Sequence, residues 1–76
     1  MKFIGYNTAR ATALQMGREA FVRGDKRFAL LDPKLSAMYE EWKLVNLRKA
    51  NAIALQWYTG WDRANMAAPV KEIDAA

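Results

Sequence analysis

Gln56-Trp57-Tyr58-Thr59-Gly60-Trp61-Asp62-Arg63-Ala64 is the stretch on which the fold turns. Its two tryptophans stand at i and i+4, on adjoining parts of one helix face. Gly60 lies between them, where a side chain would hold a neighbouring backbone away. Ala64 continues the small row one turn later. Large rings flanking a gap of this kind predict a helix that receives another helix at close range.

A helix suited to fill that gap lies upstream. Residues 8–23 predict a helix with Asn7 or Thr8 as N-cap and Gly24 as its left-handed stop. At about 100° per residue, Ala9, Ala13, Leu14, Met16, Gly17, Ala20, Phe21 and Gly24 fall on one face. That face is rich in small residues, which permit close approach. The natural pairing sets this helix antiparallel on the tryptophan-bearing one, with Gly60 against backbone.

Asp32-Pro33 predicts a second helix start, with Asp as N-cap and Pro in the first turn. Helical periodicity then runs over 33–66, with Leu35, Met38, Tyr39, Trp42, Val45, Ile53, Trp57, Gly60 and Ala64 on one stripe. Unbroken, it would span about 51 Å, against a radius of gyration near 11 Å for a compact chain of this size. Asn46 and Lys49 interrupt the stripe, yet the segment contains good helix formers and no Gly or Pro. The expectation is a single all-α domain over 1–76, either a helical hairpin or a small three-helix domain. Whether the second helix is continuous or is bent or broken near 46–51 stays open. Residues 67–76 read as a loosely held tail.

Composition narrows the chemistry. The 76 residues carry twelve Lys and Arg against eight Asp and Glu, for a net charge of +4, with no Cys and no His. Residues 1–31 carry six basic and two acidic residues, so the whole net charge lies there. The absent residue types exclude a disulfide scaffold, a zinc finger and thiol or imidazole catalysis. Glu40 and Glu41 point about 100° apart and make no carboxylate pair. Glu40 is placed to pair with Lys43 on the helix surface. The reading is a non-enzyme with no cofactor and no metal. Charges interrupt every window long enough to span a bilayer, so no membrane partner is expected, and the N-terminus lacks signal-peptide character. Cytoplasmic location is the corresponding expectation.

The motifs resemble the ribosome modulation factor family of small bacterial, phage and plasmid proteins. That family pairs a helix carrying Gly-x-x-Ala-x-x-x-Gly with one carrying Gln-Trp-x-x-Gly-Trp-x-x-Ala. This chain has Gly17, Ala20 and Gly24 in the first motif and Gln56, Trp57, Gly60, Trp61 and Ala64 in the second. Here Lys34 to about Asn51 looks like an insertion, and Asp32 stands where the founding member has Cys. The resemblance covers roughly 9–33 and 52–66. It implies a hibernation factor that binds the small ribosomal subunit, blocks initiation and promotes inactive ribosome dimers.

For such RNA binding, Arg10, Arg18, Arg23, Lys26, Arg27, Lys34 and Arg63 are the candidate phosphate contacts. The tryptophans read as core. Tyr58, off the stripe, is the candidate exposed platform for base stacking, worth about 1–3 kcal/mol per base. The alternative is a small phage or mobile-element protein that binds a host protein, or a second copy as a homodimer. Leu35, Met38, Tyr39 and Trp42 of the central segment would then form the interface.

Overall fold

The computed structural model describes residues 4–68. They form three α-helices, α1 (Tyr6–Arg23), α2 (Pro33–Val45) and α3 (Leu47–Ala67), with a 3₁₀ turn at Ala29–Leu31 in the first connection. No strand occurs among the described residues. Pro69 and most of the expected 67–76 tail lie outside them, while Ala67 is still helical.

The helix ends follow local chemistry. Gly24 adopts φ 86° and ends α1. The Asp25 N–H donates to Ala20 O and the Gly24 N–H to Phe21 O, both at 2.9 Å. These are the two bonds of a Schellman motif. Asp32 caps α2 by accepting from the Lys34 N–H at 3.1 Å, with Pro33 in the first turn. The start of α1 differs from expectation. Its N-cap is Gly5, without a side-chain cap bond, so Asn7 and Thr8 lie inside the first turn. Tyr6 accounts for the earlier start: its ring packs on Trp42 with centroids 5.6 Å apart, and the contact draws the chain into the bundle there.

The open question over 46–51 resolves to one residue. Asn46 is extended (φ −162°, ψ 102°) and serves as C-cap of α2 and N-cap of α3. Its N–H donates to Trp42 O at 2.7 Å. Its side-chain oxygen accepts from the Lys49 N–H at 3.1 Å. Asparagine suits this because its side chain replaces a backbone partner at a helix start. Leu47 to Ala50 are helix formers, as expected, but they begin a new helix.

This hinge decides what is buried. It folds α2 back, so Leu35, Met38 and Trp42 join Ile53, Trp57 and the alanines of α1 in the core. Their expected role as a protein interface is therefore corrected: they meet this chain's own helices. Tyr39 is half-buried and donates its hydroxyl proton to Asn51 Oδ1 at 2.8 Å. Val45, placed on the same stripe, is exposed at the hinge.

Two reversals of direction also correct the relation between α1 and α3, which run parallel. Lys49 near the start of α3 has its Nζ 5.0 Å from the ring of Tyr6 at the start of α1. Midway, Gly17 lies against the backbone of Trp57 and Trp61, and Gly60 against that of Leu14 and Arg18. Further along, Phe21 and Trp61 meet edge-to-face with centroids 5.2 Å apart. The small-residue seam was legible in the sequence, and its polarity was not. A row of Ala and Gly accepts a helix in either direction, and the intervening turns choose.

At this crossing a Cβ on Gly17 would overlap the Trp57 carbonyl oxygen, and a Cβ on Gly60 that of Leu14. In each case the glycine hydrogen in the Cβ direction points at a carbonyl of the other helix, a recurring contact where helices pack closely.

Candidate nucleic-acid interface

The polar groups of the tryptophan stretch converge on the connection between α1 and α2. The buried Trp57 donates its indole N–H to Asp32 Oδ2 at 3.0 Å. Trp61 donates to Asp25 O at 3.1 Å. The Tyr58 hydroxyl accepts the Ala29 N–H at 3.3 Å. Asp62 receives both ends of the Arg27 guanidinium, Nε at 2.7 Å and Nη2 at 2.8 Å. Four neighbouring side chains of α3 thus strap residues 25–32 to the end of the bundle.

Tyr58 is consequently not the open platform expected for it. It is half-buried, and the Arg27 guanidinium lies 4.7 Å from its ring centroid. The same geometry engages Arg27, so its charge is shared with Asp62. Arg23 is likewise held, donating to Asp25 Oδ2 at 2.8 and 3.0 Å and lying 3.7 Å from Asp32. The Asp62 pairing joins residues 35 apart in sequence, which no local spacing reveals.

These ion pairs move the titration of their members. Hydrogen bonds from Arg27 hold the Asp62 carboxyl below its ordinary value of 3.8, and the Arg27 guanidinium is raised in return. Asp25 raises Arg23 in the same way. A carboxylate depressed by folding stabilises fully above its unfolded pKa and loses that contribution as pH falls through the folded one. The Arg27–Asp62 strap should therefore be intact above about pH 5 and released below the ordinary Asp range. Urea midpoints followed by Trp fluorescence should fall slightly less on acidification in Asp62→Asn than in the parent. An identical pH profile would mean that the strap adds nothing.

The other candidate cations divide between two ends of the bundle. Shallow surface depressions link Arg18 to Arg23, Arg23 to Lys34, and both of these to the Asp25–Asp32–Pro33 rim that Lys26 shares. Arg63 is exposed beside the Arg27–Asp62 pair. These residues therefore gather at the strapped end. Arg10 lies at the opposite end, its guanidinium 5.4 Å from the Tyr6 ring. Among the described residues, Arg18, Lys26, Lys34 and Arg63 have no carboxylate within 4.0 Å, whereas Asp25, Asp62 and Glu40 are each paired to a cation. The Glu40–Lys43 pair, at 3.2 Å, is the one expected from their spacing.

Residues that sequence reasoning passed over also appear. Lys49 lies over Tyr6 and Trp42, and Arg48 is exposed beside it, both in the first turn of α3. Their clustering with Arg10 depends on α1 and α3 being parallel. Asp32, read only as a cap, also serves as the acceptor for Trp57. Its signal was its place one residue before Pro, but its second partner is 25 residues away.

Comparison with known families, curated proteins and solved structures finds no match to this chain.

Proposed function

We propose that this protein is a non-catalytic binder of RNA or the small ribosomal subunit, of the ribosome-modulation-factor kind, restraining translation initiation or favouring hibernation in the cytoplasm. The observation that carries the reading is the charge distribution at the strapped end. Its aspartates are engaged by Arg23, Arg27 and Trp57 and Glu19 accepts from Gln15, while Arg18, Lys26, Lys34 and Arg63 present charge to solvent. The motif residues fit the same reading in a supporting role, since Trp57, Gly60 and Trp61 hold the helices and the loop together. The host-protein alternative loses support because Leu35, Met38 and Trp42 are buried.

With Tyr58 covered, affinity would come mainly from phosphate contacts. Four cations without a carboxylate partner among the described residues imply a slope of log K against log salt of about −3 for single-stranded RNA and nearer −4 for B-form duplex. Filter binding of a small-subunit RNA fragment across a salt series tests this. Lys26→Gln should weaken binding and lower the slope by about one. Absence of binding at low salt, with small subunits as well as with the fragment, would refute the function.

A further inference from the structure

The hinge between α2 and α3 carries a second, separate surface. Its sequence is Lys43-Leu44-Val45-Asn46-Leu47-Arg48-Lys49, with three cations and no acid. Leu44 is 87% exposed, Val45 65% and Leu47 54%. Single exposed aliphatics are ordinary on protein surfaces. Three within four residues, at the turn between two helices, form an exposed apolar tip. Lys43, Arg48 and Lys49 flank it in sequence. Lys49 is held over the Tyr6 and Trp42 rings, the Arg10 guanidinium lies 5.4 Å from the centroid of the same Tyr6 ring, and Arg48 is exposed. Lys43 shares its charge with Glu40 at 3.2 Å, but Arg10, Arg48 and Lys49 have no carboxylate within 4.0 Å among the described residues.

We propose that this tip docks on an anionic lipid surface, with Leu44, Val45 and Leu47 entering the headgroup–acyl boundary and Arg10, Arg48 and Lys49 meeting lipid phosphates. Exposed apolar side chains flanked by cations match both layers of such an interface. Nucleic acid offers the cations a partner but leaves the aliphatic tip in water. A folded protein would need a pocket shaped for the tip, whereas a fluid bilayer needs none. The attachment is peripheral and requires no spanning segment. Indeed, no helix among the described residues is long and apolar enough to cross a membrane.

The test is co-sedimentation of the full chain with phosphatidylglycerol/phosphatidylcholine vesicles and with pure phosphatidylcholine vesicles. Binding should require the anionic lipid and weaken with salt. Leu44→Ser/Leu47→Ser should reduce it by about tenfold or more, and Arg48→Glu should reduce it by about fivefold or more. Leu55→Ser, at an exposed position elsewhere on α3, should bind like the parent. Because the native chain has no cysteine, a polarity-sensitive dye on Leu44→Cys reports insertion directly by a blue shift. Circular dichroism verifies that each variant stays helical. Equal pelleting with neutral and anionic vesicles, or undiminished binding by the double serine variant, overturns the proposal. So does concentration-dependent dimerisation abolished by the serine pair without vesicle binding, which would assign the tip to a second copy. Lys26→Gln alters only the strapped end and should leave vesicle binding intact, so the two readings fail separately.

Discussion

Gly17→Ala should cost this domain about 3 kcal/mol, most of the roughly 3–5 kcal/mol that a core of this size supplies. Alanine normally improves a helix interior by about 1 kcal/mol over glycine. That gain is overridden because the new methyl would overlap the Trp57 carbonyl oxygen and crowd the Trp61 nitrogen, which are backbone atoms with no rotamer to change. Relief requires α1 and α3 to separate along the whole seam, and close contacts decay steeply with such a gap. Gly60→Ala meets the Leu14 backbone in the mirrored arrangement and should cost a similar amount. One separation accommodates both methyls. Gly17→Ala/Gly60→Ala should therefore cost clearly less than twice the single change, a coupling of neighbours. Urea denaturation followed by circular dichroism measures all three. A Gly17→Ala protein as stable as the parent would mean that the seam is not closed at this point.

The second large effect belongs to Asp32, which is 7% exposed and holds two elements at once. One oxygen caps α2 at Lys34 N and the other accepts from the Trp57 indole. Asp32→Ala removes a cap worth about 1 kcal/mol and strands a buried indole N–H at about 1–3 kcal/mol. A loss of about 2–4 kcal/mol is expected, visible as a lower urea midpoint. Asp32→Asn retains one carbonyl oxygen, enough for the cap or the indole but not both, and should lose roughly half as much. Should the alanine and asparagine variants unfold at the same midpoint, the two-oxygen account is wrong.

Some of this is legible in the sequence alone. Gly24 and Asp32-Pro33 set their helix ends through local backbone chemistry, and the small face of α1 follows from periodicity alone. The burial of Trp57 and the approach of Gly60 to backbone follow from the same pattern. What escaped depends on one residue or on distant partners. Asn46 breaks a segment whose next residues, Leu47 to Ala50, are helix formers, and its cap bond outweighs their propensity. From that break follow the burial of Leu35, Met38 and Trp42 and the parallel course of α1 and α3. Tyr58 reads as exposed from its position on the helix, but its neighbours come from the 25–32 connection, whose path local rules do not give. The RNA candidates were named by charge, and charge alone does not tell Arg27, clamped by Asp62, from Lys26, which faces solvent.

The parallel course of α1 and α3 has a further consequence for how the protein comes into being. A chain is made from its N-terminus, and α1 is complete before the first residue of α3 exists. The small-residue face of α1 finds its main partner only in α3, the last helix of the described chain. Pairing of this long-range kind must pay for loop closure before any contact repays it. Stable packing of α1 is therefore expected only once α3 is available to it. A fragment ending at Val45 should give little stable helix at any temperature.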